Sequence, residues 1–441
     1  MITVNWETYH QKLAKATTLV KRGRVTQVIG LTIEAQGLNA QIGELCHITP
    51  NEGEGKIPTE VMGFRDERTL LMPLGEMRGI GPGSTVRATG SLLTVPVGEA
   101  LLGRVLNGLG QPIDGKGPIA CYTFYPVAGT APSPLGRIPI SQPLETGVRA
   151  IDSFITVGKG QRMGIFAGSG VGKSTTMGMI ARHARADISV IGLIGERGRE
   201  VQEFIQRDLG PEGLARSVVI VSTSDQPALV RLKGAWVATA IAEYFRDQGQ
   251  DVTFLMDSVT RFAMAQREIG LAIGEPPAMK GYTPSVFALL PKLMERTGTS
   301  ERGTITGFYT VLVEGDDLTE PITDAVRSIL DGHIVLSREL ATQNHYPAID
   351  VLGSVSRVMP AITDASHRDA AGQLRDLMAT HRNASDLINI GAYAPGSNPV
   401  IDQAIALMPS ILDFLRQDPN MPMSYQETLA WLQTIIANAK N

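Results

Sequence analysis

Cysteine is nearly absent from this chain of 441 residues: only Cys46 and Cys121 occur, far apart and without CxxC spacing. A disulfide framework and a thiolate metal ribbon are thereby excluded, and two reduced thiols suit a cytosolic protein. The seven histidines include no HExxH pair and none clusters with a cysteine, so no zinc centre is expected. Long apolar runs are lacking as well; none approaches the roughly 18 residues that a membrane span requires. The opening stretch, MITVNWETYHQKLAKA, has no basic region followed by an apolar block and does not read as a signal peptide. A large excess of either sign of charge is lacking too, and a net charge of −4 does not favour nucleic acid as the main partner.

What is present is the composition of a folded protein, 43% hydrophobic and 19% charged, at a length that calls for two or three cores. The 47 glycines and 26 prolines are scattered between periodic segments, which implies many turns rather than a disordered tract. Residues 1–20 set Trp6, Tyr9, Leu13 and Ala16 on one helical face. From about Arg22 to Thr94, short β-prone runs (VTQVIGLTIEA, AQIGELCHIT, EVMGF, TLLMPL, STVRATG, LLTVPV) alternate with turn signals, predicting a small all-β barrel or sandwich. The Gly/Pro-rich passage from LNGLGQPIDGKGPI to APSPLGRIPISQPLETG reads as a long surface connector.

Between about Met163 and Arg338, strand-like and helix-like segments alternate. The strand candidates RMGIFA, ISVIGLIG, SVVIVSTS, VTFLMDS, TITGFYTVLVEG and GHIVLSR are mostly continuous apolar runs, as expected of a parallel sheet covered on both faces. From about Met359 the pattern is helical (ASHRDAAGQLRDLMATHR, VIDQAIALMPSILDFLRQ, YQETLAWLQTIIANA), interrupted at GAYAPGSNP. No repeat of solenoid length is present.

The sharpest local signal is Ala167-Gly168-Ser169-Gly170-Val171-Gly172-Lys173-Ser174-Thr175, between the apolar strand MGIFA and the helix-prone TMGMIARHARA. Small residues let successive N–H groups turn toward a phosphate, and the helix N-terminus adds its positive end. Lys173 offers a charge to the β- and γ-phosphates and Ser174 a hydroxyl to Mg²⁺. Ala167 replaces the usual first glycine, so only the relaxed form of the motif matches, and context has to carry it. Asp257 ends the apolar run VTFLMD, 84 residues after Lys173, which sets its carboxylate at the sheet edge where ligands of open α/β sheets bind and where it can hold Mg²⁺ through water. Glu196 ends ISVIGLIG at the same edge, where hydrolysis needs a group to polarise a water; Arg197 and Arg199 beside it suit phosphate contacts or ion pairs.

The stretches GIFAGSGVGKST, IGLIGERGREVQEF, FLMDSVTRFAMAQREIGLAIGEPP, GYTPSVFALLPKLMERTG and SVSRVM together resemble the catalytic subunits of the rotary and type III secretion ATPases, from about Arg22 to the C-terminus. AMAQREIGLAIGEPP, GRVLNGLGQPIDGKGP and INIGAYAPGSNPVID are most similar to the flagellar protein-export branch, with the virulence-type secretion ATPases as near neighbours. The resemblance implies an α/β RecA-like P-loop core (96–360) between an N-terminal β-barrel (21–95) and a C-terminal helical domain (361–441), in agreement with the textures above.

It also implies roles: Glu196 activates the attacking water with Arg197 beside it, Asp257 serves Mg²⁺, Arg261 belongs to the catalytic pocket, Tyr346 stacks near the adenine, and Arg357 is a finger inserted into the neighbouring subunit's site. Because Glu196 and Arg357 share one chain, a ring of identical subunits can complete every site, and a homohexamer follows. The implied partners are a stator-like regulator at residues 1–20, a central-stalk-like protein against the GEPPAMKGYTP loop, and the export gate with its substrates and chaperones, with the ring peripheral at the cytoplasmic face of the inner membrane. A ring-shaped nucleic-acid motor would want a basic, aromatic single-strand groove. Residues 1–95 offer only Trp6, Tyr9 and Phe64 as aromatics. A scaffold without hydrolysis is opposed by the intact set Lys173, Glu196, Asp257 and Arg357.

Overall fold

The computed structural model describes residue 6 and residues 22–51, 55–313, 315, 317 and 319–438. The apolar stripe expected at residues 1–20 therefore lies outside the described residues, Trp6 apart. The chain divides into two compact units, Met1–Leu93 and Thr94–Asn441.

In the first unit the strands Arg22–Ile29, Thr32–Gln36, Glu44–Thr49, Ile57–Arg65, Arg68–Pro73 and Thr85–Leu92 close into a barrel, in the spatial order first, second, fifth, fourth, third, sixth. Alternation drives the closure: Cys46 and Ile48 point inward to join Val25, Ile33, Ala35, Val61, Leu71 and Val86, while His47 and Thr49 point outward. Burial, reinforced by the charge of Glu44, pushes the Cys46 thiol up to about 12, so it packs as a small apolar group. Asp66 and Glu67, at φ 46° and 62°, make the two-residue turn between the fourth and fifth strands.

The second unit is built on a nine-stranded sheet. From one edge its order is Ile349–Ser356, Gly332–Leu336, Arg162–Ala167, Thr304–Leu312, Asp251–Asp257, Ile188–Ile194, Ser217–Ser222 and Arg104–Asn107, with Gly298–Thr299 paired onto Thr304–Leu312. All pairings along this order are parallel except that of Ile349–Ser356, which runs antiparallel to Gly332–Leu336. Every residue of Ile188–Ile194 and of Ser217–Ser222 is buried, as the unbroken apolar runs require.

Two expectations are corrected. Beyond Leu92, the last residue of the sixth barrel strand, the run LLTVPV leaves the barrel: Thr94–Val97 pairs with Thr123–Pro126 in a separate two-stranded sheet. The connector, which begins at Leu106, is not wholly superficial either, because its first two residues end the strand Arg104–Asn107 at the edge of the large sheet. Only Leu106 of those four residues is fully buried, so no apolar run announces the strand. Asp114 pins it in place, accepting from Arg104 Nε at 2.7 Å, Arg104 Nη2 at 2.9 Å and the Val105 amide at 3.1 Å.

The C-terminal helices Ala365–Asn389, Pro399–Leu415 and Tyr425–Asn438 turn Leu374, Leu377, Ile411, Phe414, Leu432 and Ile435 into the same core as the sheet. Phe414 meets Phe154 of the helix Arg149–Phe154 edge-on at 6.2 Å. No described helix is long and apolar enough to cross a membrane.

Candidate active site

The strand Arg162–Ala167 runs through the core and delivers the loop at Gly168 to the sheet's carboxyl edge. Gly170 and Gly172 hold φ of 78° and 86°, which favour glycine and let the loop curl before the helix Lys173–His183 begins. Ser169 and Gly170 are exposed, Val171 is buried beneath the loop, and Gly172, Lys173, Ser174 and Thr175 are half-buried along its inner side. The Tyr346 ring lies over Gly172: a methyl group there would sit 3.4 Å from its ring carbons. Tyr346 itself is 39% exposed.

Three of the predicted charges converge. Lys173 Nζ pairs with Asp257 Oδ1 and lies 3.4 Å from Glu196 Oε1. Burial alone would lower the lysine's pKa, but Asp257 and then Glu196 outweigh it, and the pKa is raised. Glu196 is pushed up to about 8, first by burial and then by the charge of Asp257, against the opposing pull of Lys173. The cluster is thus a Lys173–Asp257 ion pair beside a Glu196 that holds its proton more tightly than an ordinary carboxyl. A carboxyl perturbed in this way beside a phosphate loop marks a candidate functional site. Asp257 Oδ1 also accepts from Thr310 Oγ1 at 2.7 Å. Oδ2 of Asp257 and the hydroxyl of Ser174 make no hydrogen bond among the described residues, so this donor set fits a hard, oxygen-seeking cation such as Mg²⁺.

The remaining predicted residues are disposed differently. Arg261 opens the helix Val259–Ala272, whose cap Ser258 accepts its amide at 3.3 Å. It packs on Gly195, where a Cβ would stand 2.6 Å from that of Arg261, and its buried Nε has no hydrogen-bond partner. Arg197 is not drawn into the cluster: its side chain is 79% exposed and pairs with Glu200 at 3.6 Å. Arg357 is not there either. It follows Ser356, which pairs with Gly332 at the amino edge of the parallel strands, whereas the phosphate loop leaves from their carboxyl edge. Four residues of strand separate the two edges, roughly 13 Å at the usual rise. Arg357 is exposed, its amide donating to the Asp331 carbonyl at 3.0 Å.

Thr310 and Gly195 carry no motif of their own. Thr310 is one of three threonines in TITGFYTVL and nothing in the pattern singles it out; for Gly195 the faint signal is a glycine between a strand and a glutamate.

A phosphate loop, a Mg²⁺-compatible aspartate and a raised glutamate on one edge of a RecA-like sheet define a P-loop ATPase. The family comparisons agree: the ATP synthase alpha/beta family matches in its beta-barrel domain at residues 25–90 and in its nucleotide-binding domain at 147–356, and the T3SS EscN ATPase C-terminal domain matches at 363–434. The flagellum-specific ATP synthase of Bacillus subtilis is 58% identical over 94% of this chain and 95% of that protein. The type 3 secretion system ATPase of Xanthomonas euvesicatoria is 51% identical over 98% of both chains. The structure of the assembled ATPase EscN from the type III secretion system of enteropathogenic E. coli superposes with a TM-score of 0.89 at 46% identity, covering 94% of this chain and 100% of that one. The chain belongs to the family of flagellum-specific ATP synthases and type 3 secretion system ATPases, and it is an ATP hydrolase.

Proposed function

We propose that this chain is the ATPase of a flagellar protein-export apparatus, working as a homohexameric ring that energises or prepares unfolded substrates for export. The flagellar branch is preferred to the virulence-type branch on 58% against 51% identity to the two curated relatives above. The observation that carries the reading is the opposition of Lys173 and Arg357 across one sheet: a chain with the hydrolytic cluster on one edge and an exposed arginine, its guanidinium bonded among the described residues only to the Leu330 carbonyl at 3.4 Å, on the other suits sites shared head to tail.

In this reading the loop amides from Gly168 to Thr175 cradle the phosphates and Lys173 exchanges its carboxylate partners for the β- and γ-oxygens. Ser174 and Asp257 hold Mg²⁺, which neutralises phosphate charge when bound. In its carboxylate form Glu196 orients an in-line water and takes its proton as the water oxygen bonds the γ-phosphorus and the bond to the β-phosphate oxygen breaks, while Arg261 and Arg197 border the site and Tyr346 stacks on the base. Arg357 of the neighbouring copy meets the charge building on the transferred phosphoryl group, a contribution of about 10³–10⁵ in rate. EscN has been solved with its central stalk EscO. In this reading a stalk-like partner meets the loop at Lys280, whose φ of 47° turns it sharply before Gly281 packs on the guanidinium of Arg267. A stator-like regulator at residues 1–20 and attachment at the cytoplasmic face of the inner membrane, near the export gate, complete the proposal.

The test is complementation in the ring. Glu196→Gln and Arg357→Ala should each bind nucleotide yet turn over at least about 10²-fold more slowly. Mixing them should recover part of the activity, at interfaces that pair an intact Glu196 with an intact Arg357. Full activity in Arg357→Ala alone would remove the finger and the ring argument together.

A further inference from the structure

We infer that Gln417 is a positioning residue for the nucleotide, latching the C-terminal helical segment to the Tyr346 ring above the phosphate loop. The inference rests on the reading of Tyr346 as the stacking partner of the base.

Tyr346 lies on the short stretch between the helix Arg338–Thr342 and the strand Ile349–Ser356, so no helix or strand of its own fixes the ring. Its carbonyl accepts the backbone amide of Gln417 at 2.9 Å, just past the end of the helix Pro399–Leu415. What holds the Gln417 backbone is its own side chain, buried to 6% exposure and bonded at every position. Oε1 accepts the Arg149 amide at 2.9 Å, and Nε2 donates to the carbonyls of Gly147 at 2.8 Å and Met421 at 3.0 Å. One acceptor and two donors in that arrangement are what a carboxamide supplies.

The receiving turn is itself firm, because buried Asp152 accepts the amides of Thr146 at 2.9 Å and Gly147 at 3.0 Å. The Arg149 guanidinium donates to the Arg416 carbonyl and lies 4.6 Å from the centre of the Trp431 ring. The same segment reaches the far end of the phosphate-loop helix, where Arg182 donates to the Pro419 carbonyl at 2.9 Å and to Asn420 Oδ1 at 3.0 Å. Residues 416–420 thus touch both the element that carries the ring and the helix that carries Lys173. A displacement of the C-terminal helices is transmitted to the ring through Gln417.

Substitution separates this role from simple packing. Gln417→Glu preserves size and the acceptor for the Arg149 amide, but turns an anion toward two carbonyl oxygens. Gln417→Met preserves volume, adds no charge and abolishes all three side-chain bonds, so it serves if the glutamate variant folds poorly. Inorganic tripolyphosphate, which carries the phosphates without a base, is the control ligand.

Each Gln417 variant should raise the KM for ATP about tenfold, the scale of one or two lost buried hydrogen bonds, with kcat and the inhibition constant of tripolyphosphate unchanged within about twofold. Tyr346→Ala should give the same selective loss, and combining it with Gln417→Met should add little. Equal losses for ATP and tripolyphosphate in the Gln417 variants, or an unchanged KM, would overturn the latch. If that occurs while Tyr346→Ala still loses ATP selectively, the latch falls and the stacking reading stands. If Tyr346→Ala shows no selectivity either, both fall.

Discussion

At the scale of residues, one lysine is shared between two carboxylates, and the sharing is unequal. Asp257 takes the ion pair and the Thr310 bond, while Glu196 is left in a poorly solvated place facing another anion. A carboxyl whose folded pKa is raised to about 8 binds its proton more tightly in the folded chain than in the unfolded one. Its stabilising effect is present below the ordinary carboxylate range and is lost as pH rises from there through about 8. Glutamine at this position cannot ionise. The Tm of Glu196→Gln relative to wild type should therefore climb between about pH 5 and about pH 9, measured without nucleotide. Parallel Tm curves for the two proteins would show that Glu196 ionises normally.

At the scale of elements, the site depends on how one helix begins. The strand Asp251–Asp257 ends on the Mg²⁺-compatible carboxylate, and the next residue, Ser258, caps the helix that carries Arg261. Gly195 closes the junction from the neighbouring strand, its φ of 74° and its contact with Arg261 both excluding a side chain. Ser258→Ala removes the cap and should cost about 1 kcal/mol, read as a lower urea midpoint at unchanged slope. Turnover should fall as well, since the frayed first turn carries Arg261. These junction residues were illegible in the sequence for a physical reason: a serine after an aspartate is common, and only the pairing of Asp251–Asp257 with Ile188–Ile194 brings Gly195 against the helix.

At the scale of the whole molecule, no single copy holds a complete site in this reading, because Arg357 and Lys173 leave from opposite edges of the sheet. Activity must then depend on assembly. Specific ATPase activity of the wild type should rise with protein concentration until rings are saturated, while Arg357→Ala should stay low across the same range. A wild-type activity independent of concentration, in a protein that sedimentation shows to be monomeric, would contradict shared sites.

What the sequence determined by itself is whatever local chemistry can write: the phosphate loop from Gly168 to Thr175, whose residues are contiguous; the central strands, whose unbroken apolar runs leave no alternative to burial; and the C-terminal helices, whose periodicity is long. It was silent where a residue's role depends on a distant neighbour. Arg104–Asn107 is too short and too polar to announce itself, and becomes a strand only because Ser217–Ser222 offers it an open edge. Thr310 reaches Asp257 because Thr304–Leu312 is inserted between Arg162–Ala167 and Asp251–Asp257, an order that nothing in the linear pattern encodes. Gln417 meets Tyr346 from 71 positions away in the chain, and Arg357 is turned from its own phosphate loop by one antiparallel edge strand. Backbone pairing decides such meetings only once the whole sheet has closed, which is why the tertiary structure alone could settle them.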